Sequence, residues 1–223
     1  MPLFHRRSEC ELLCERGHAH LMVHEYAYAI ECFEQALVYA KRAKERECEV
    51  AALGGLGNLY LNTHDTRAME YLAQAGSLAH DLDDYENEVK VLQQMAELWN
   101  RAGNADRAFQ CLERASNILL SMKRPDMSRA GRLFGDMGIT FVQAGQNDAA
   151  IFCYEKALDY AGRARDTENE STVSWNYGQL LEEKGQLTRA AELMQVRVDY
   201  ERKMGLPEAT MHALRVDELR RMT

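Results

Sequence analysis

The chain has 223 residues, 46% of them hydrophobic and 28% charged, with only three prolines, a composition that supports a continuous core and excludes wholesale disorder. Its 27 basic and 35 acidic residues leave a net charge of −8, and the absence of a dense basic run argues against a nucleic-acid footprint. No apolar stretch approaches the roughly 18 residues of a membrane span, and the N-terminus carries no apolar signal segment, so a soluble, cytoplasmic protein without membrane insertion is expected.

Ser8, followed three residues later by Glu11, has the spacing of a capping box and predicts a first helix with Gly17 inside it and a turn at His24-Glu25. The octet AIECFEQA follows from Ala29. A second amphipathic segment with Gly57, closed at His64-Asp65, leads to AMEYLAQA from Ala68. A third, with Ala96 in the glycine's place and a turn at Gly103-Asn104, leads to AFQCLERA from Ala108. Gly138 and Gly145-Gln146 precede AIFCYEKA from Ala150, and Gly178 and Gly185-Gln186 precede the degraded AAELMQVR from Ala190. Pro125 and Pro207 suit only a first helical turn, so they mark the start of the fourth unit and of a terminal helix over about 207–222. Thr167 with Glu170 has the spacing of another capping box.

The octets start 39, 40, 42 and 40 residues apart, long enough for two helices and their connections but too short for a domain. Each unit therefore needs its neighbours to bury its apolar face. Alanines seven apart, such as Ala150 and Ala157, share a helical face, and the large residues Phe33, Leu72, Leu112, Tyr154 and Met194 sit between them. Alternation of small and large residues lets two helices interdigitate closely. Gly17, Gly57, Gly138 and Gly178 fall in mid-helix, where glycine is unfavourable by roughly 1 kcal/mol, and so are expected at close helix contacts. The second unit has one residue fewer before Ala68, which predicts a tighter turn there.

Six cysteines invite a metal or redox role. Cys32, Cys111 and Cys153 share an octet position with Tyr71 and Leu193, so they are packing residues. Cys10, Cys14 and His18 are four apart and form the one ligand-like cluster, but a zinc site needs four ligands and usually combines turns with helices. No metal and no cofactor are expected. No structural disulfide is expected either, because helical packing and an intracellular setting favour reduced cysteine. Gly54, Gly55 and Gly57 lie inside a predicted helix and point to close packing or a widened groove, not to a phosphate loop. With no Ser, His and acid in a recognisable frame, no enzyme is expected.

These residues give the chain its resemblance to the tetratricopeptide repeats, whose pattern sets a small residue before a large one, a turn glycine, alanine, an aromatic and alanine. The fourth unit matches with Gly138, Phe141, Gly145, Ala150, Tyr154 and Ala157, and the third with Ala96, Trp99, Gly103, Ala108, Leu112 and Ala115. The fifth has Arg197 where alanine belongs, which suggests a looser last hairpin. The resemblance covers residues 8 to 205. Units of about 40 residues, longer than the ordinary repeat, are similar to those of polarity adaptors named for a Leu-Gly-Asn motif, here Leu56-Gly57-Asn58, of rapsyn-like and tonsoku-like scaffolds, and of bacterial peptide-sensing regulators. It implies an all-α helix-turn-helix solenoid, a right-handed superhelix of five repeats at about 8–45, 46–83, 84–123, 125–165 and 166–205 plus a capping helix, as one domain over 1–223.

In that family the first helices line a concave groove. Carried over position by position, the groove candidates are Asn58, Asn62, Lys90, Gln94, Glu97, Arg101, Arg132, Asp136, Trp175, Asn176 and Gln179. Their amides offer both donor and acceptor to the backbone of an extended peptide. The basic middle, Lys90, Arg101 and Arg132, suits an acidic centre in that peptide, with Trp175 as an aromatic anchor. The carboxylate clamp of chaperone-binding repeats is not matched, since its places hold Cys14, His18, Gly55, Lys90 and Gln94 and only the lysine agrees. The implied function is a non-enzymatic scaffold or adaptor that binds an extended peptide or helix of a protein partner, as a monomer or with weak self-association. The alternatives are a peptide-sensing module of a larger protein and a self-associating structural component.

Overall fold

The structure, a computed structural model, describes residues 8–223 and forms eleven helices with no strand among them. They are α1 (Glu9–Met22), α2 (Tyr26–Ala43), α3 (Arg46–Asn62), α4 (Ala68–Asp81), α5 (Tyr85–Arg101), α6 (Ala105–Ser121), α7 (Met127–Gln143), α8 (Asn147–Ala164), α9 (Thr167–Glu183), α10 (Leu187–Met204) and α11 (Ala209–Arg221). Among the described residues no helix is long and apolar enough to cross a membrane. The expectation about a signal segment concerns an N-terminus whose first seven residues lie outside those described.

The chain divides into two compact units, residues 1–102 with α1–α5 and residues 103–223 with α6–α11. In the first, α1 pairs with α2 and α3 with α4, while α1 also touches α3 and α3 touches α5. In the second, α6 packs on α7, α7 pairs with α8 and α9 with α10, and α11 closes against α10.

Close pairing has the cause that the glycines suggest. A Cβ added at Gly17 would lie 2.8 Å from the Phe33 ring, at Gly57 2.4 Å from Leu72, at Gly138 2.4 Å from the Tyr154 ring and at Gly178 2.6 Å from Met194. In each pair the first helix gives up a side chain so that the large octet residue of the second can enter. The flanking alanines Ala29, Ala36, Ala68, Ala75, Ala150 and Ala157 are fully buried.

Every turn but one reverses through a left-handed residue: His24, Lys44, His64, Asp83, Gly103, Gly145, Arg165, Gly185 and Gly205 all have positive φ. The exception joins α6 to α7, where Met122 is extended and Pro125 precedes the N-cap Asp126. This longer connection accounts for the 42-residue spacing. Pro125 and Pro207 thus stand just outside their helices, before the N-caps Asp126 and Glu208, and not in the first turns.

Of four further expectations, three are corrected and one, the tighter turn before Ala68, holds. Ser8 and Glu11 form the capping box, but α9 is capped by Asp166, which accepts from the Asn169 amide, and Thr167 is already helical. The residue missing before Ala68 does tighten the turn: the Ala68 amide bonds the Asp65 carbonyl three residues back, where Ala29 and Ala150 reach four back, and α4 starts only at Ala68 behind Asp65, which holds Arg67. Arg197 does not loosen the last hairpin. Its Nε donates to the fully buried Glu201 at 2.6 Å and its Nη1 to Thr172 Oγ1 at 3.1 Å, tying α10 to α9. Finally, Cys10 and Cys48 form a disulfide between α1 and α3, which the sequence spacing does not reveal because the two helices meet only after α2 has folded back.

Candidate functional site

In the first unit, α3 presents Ala51, Gly54, Gly55 and Asn58, and α5 presents Asn87, Lys90, Val91 and Gln94. Each set has the i, i+3, i+4, i+7 spacing of one helical face. With His18, Val50 and Gln93 they line a cleft of about 490 Å³. The cleft is open because α3 carries no large side chain there: a Cβ at Gly54 would meet nothing within 4 Å. Gly55 has the opposite reason, since Phe33 fills the space a Cβ would need, at 2.4 Å.

Of the lining, Asn58, Gln93, Gln94 and Asn87 are half-buried and Lys90 is exposed. Lys90 pairs with Glu86 at 3.3 Å, both groups being more than half exposed, a solvated ion pair that a ligand displaces at little cost. His18 stands edge-on to Phe33, and desolvation, then the charge of Lys90, hold its imidazole below the usual range. Near neutral pH Lys90 is therefore the one cation of this lining, among amides and the apolar walls of Val50 and Val91.

The other candidates in this unit lie beyond the cleft. Asn62 donates to Asn58 Oδ1 at 3.4 Å. Arg101 donates from Nη1 to the Leu61 carbonyl at 2.7 Å and from Nη2 to Glu97, so its guanidinium braces α5 against α3. Asn87, Val50 and Val91 escape a mapping based on repeat positions. Asn87 is three residues upstream of Lys90 on the same face, within the extra turn of these long helices, and its Nδ2 is held by Asp84 at 2.7 Å.

In the second unit, Arg132 pairs with Asp166 at 3.3 Å and also donates to Ser128. Burial works to raise the Asp166 carboxyl, but hydrogen bonds from Ser128 and the Asn169 amide, with the charge of Arg132, hold it below the usual range. Asp136 keeps solvent contact, yet desolvation pushes its carboxyl up to about 6. The Trp175 ring lies 4.1 Å from the imidazole of His212 on α11, centroid to centroid. Asn176 is half-buried and Gln179 exposed. The structure brings Asn58, Lys90 and Gln94 into one lining; it engages Arg101 and Arg132 with acids of their own and Trp175 with the terminal helix.

Paired helices, a large residue of one seated on a glycine of the other, and an amide-rich face along successive first helices define a tetratricopeptide-like helical repeat protein, a class whose members generally serve as protein-interaction scaffolds. The chain belongs to the soluble NSF attachment protein (SNAP) family, whose sequence model matches residues 58–198. It is 28% identical over 142 residues to tetratricopeptide repeat protein 29 of Trypanosoma brucei brucei, a match that covers 63% of this chain and only 28% of that protein. The fold is similar to that of a Signal Transduction ATPase with Numerous Domains (STAND) protein with a tetratricopeptide repeat sensor from Pyrococcus horikoshii, with a TM-score of 0.76 at 14% identity over 94% of this chain and 31% of that one. It is also similar to a Rap protein complexed with competence and sporulation factor, with a TM-score of 0.63 at 14% identity over 96% of this chain and 64% of that one. At such identities the likeness is one of fold.

Proposed function

We propose that the chain is a non-enzymatic scaffold that holds an extended segment of a partner protein, with the α3–α5 cleft as a principal contact surface. The observation that carries this reading is the cleft lining: four amides and one exposed cation around a floor left open at Gly54. Amides pair with a peptide backbone whatever its side chains, and Lys90 selects an acidic residue. Arg132, Asp136, Trp175, Asn176 and Gln179 form a second polar surface in the other unit. Arg101 is also held by the Leu61 carbonyl and Arg132 by the mostly buried Asp166, whereas Lys90 pairs with the exposed Glu86, so Lys90 is the better candidate to meet an acid of the ligand. The family's name, which speaks of attachment to another protein, and the Rap protein's bound factor agree with a binding role.

The test is selection of extended peptides from a displayed library on the full chain, followed by anisotropy titration of the winners. Acidic peptides are expected to dominate, and Lys90→Glu to weaken them at least tenfold while flattening their salt dependence. Trp175→Ala separates the two surfaces, since it leaves cleft binding unchanged. Peptides without acidic residues, bound equally by wild type, Lys90→Glu and Gln94→Ala, would place the contact elsewhere.

A further inference from the structure

Cys14 completes a group of three cysteines with the Cys10–Cys48 pair. Its Sγ lies 3.9 Å from that of Cys48, and all three sulfurs lie within 4.8 Å of one another. Among the described residues no other three His, Cys, Asp or Glu side chains converge in this way. Cys10 and Cys14 are one helical turn apart on α1, and Cys48 comes from α3; all three are less than a tenth exposed. We propose that, once the disulfide is reduced, Cys10, Cys14 and Cys48 form a three-thiolate site for a soft, closed-shell metal ion, either three-coordinate Cu(I) or Zn(II) with a solvent molecule as its fourth ligand.

The spacing carries the argument. Sulfurs about 2.3 Å from a shared ion lie roughly 3.8–4.0 Å from one another, as Cys14 and Cys48 already do. Exchange of Cys14 into the disulfide needs collinear attack, which would put Cys14 about 6 Å from Cys10, given an S–S bond of roughly 2 Å. The observed triangle is too compact for that, and once the bond is reduced the Cys10 and Cys48 sulfurs need only part to the separation that Cys14 and Cys48 already have to chelate an ion. Three thiolates without an oxygen donor select thiophilic ions over magnesium or calcium. α1 and α3 already pack together, so the approach of the three side chains comes from the fold, and side-chain rotation at Cys10 and Cys48 sets the final spacing.

Reduction by a dithiol breaks the S–S bond; the dithiol supplies two electrons and two protons and closes to its own disulfide. Metal binding then displaces up to three thiol protons to solvent. Ligation needs the thiolate, so uptake competes with protons and tightens as pH rises.

The full chain, reduced anaerobically and freed of dithiol, is titrated with Cu(I) and separately with Zn(II), each against a chromophoric chelator. One equivalent of at least one ion is expected to bind, with a sulfur-to-metal charge-transfer band for Cu(I). Cys14→Ala, which leaves the disulfide pair in place, is expected to weaken uptake at least tenfold, whereas changing Cys32, Cys111 and Cys153 together to Ala leaves it unchanged. If the reduced metal-free chain loses helix by circular dichroism, the readout becomes helix regained on adding metal, in wild type and not in Cys14→Ala. No uptake of either ion, or uptake and refolding undiminished in Cys14→Ala, overturns the proposal.

Discussion

At the scale of single residues, two glycines on first helices have opposite surroundings and therefore opposite predicted effects. Replacing glycine by alanine in mid-helix gains roughly 1 kcal/mol from backbone entropy alone. At Gly54, where a Cβ meets nothing, that gain stands, so Gly54→Ala is expected to raise the urea midpoint. At Gly138 the Cβ would lie 2.4 Å from a buried tyrosine ring, and the clash reverses the sign. Gly138→Ala is expected to lose about 1–3 kcal/mol, typical of overpacking, and equal midpoints for the two variants would refute the account of the helix pairs. Asp136 supplies the residue-scale pH effect. Its folded carboxyl titrates at about 6 against 3.8 ordinarily, so the folded state holds the proton more tightly. The stability this confers is complete below about pH 4 and is lost as pH rises through about 6. Asp136→Asn is therefore expected to match wild type at pH 4 and exceed it at pH 7.5 by about 1 kcal/mol, once solvent screening of this exposed group is allowed for.

Between elements, the attachment of α11 rests on charge as well as apolar contact. Glu201 of α10 is fully buried and lies 2.7 Å from His212 Nδ1 on α11 while accepting from Arg197. Arg215 of α11 pairs with Glu182 of α9, and the Trp175 ring of α9 lies tilted against His212. Without Glu201, Arg197 keeps only the hydroxyls of Ser171 and Thr172 and His212 Nδ1 loses its partner, a loss of about 1–3 kcal/mol. Glu201→Ala is expected to lower stability by that order and to speed amide exchange across residues 209–221. Unchanged exchange there would mean that Val216 and Leu219, the buried apolar residues of α11, suffice to dock it.

For the molecule as a whole, stability is expected to be unevenly distributed. The Cys10–Cys48 bond closes a 38-residue separation within the unit of residues 1–102. On the chain-entropy account such a cross-link contributes about 3–4 kcal/mol. Reductant without metal is therefore expected to lower the protection of α1–α5 amides in hydrogen exchange and to leave that of α7–α10 unchanged. A uniform loss over both units would show that they unfold as one cooperative body.

What was legible in the sequence is what a helix repeats locally. The octet spacing, the close helix contacts at Gly17 and Gly138, and the turns at His24 and Gly145 all follow from a 3.6-residue period and from turn chemistry, which act over a few residues; that Phe33 and Tyr154 fill those contacts is read from the packed helices. Repeat position assigns the face a side chain occupies, which is why Asn58, Lys90 and Gln94 share one lining. Sequence position did not decide which charges are already engaged. Arg101 turns to the Leu61 carbonyl 40 residues away and Arg132 to Asp166, and both choices depend on the distance between helices after packing. Cys10 and Cys14 looked like an incomplete ligand set on one helix; only the approach of α3 brings Cys48 to them. Arg197 looked like a lapse from the repeat pattern until Glu201 and His212 were placed around it. Periodicity along the chain determined which faces are apolar, and contact across the packed helices decided which polar groups meet, because that depends on separations sequence spacing does not encode.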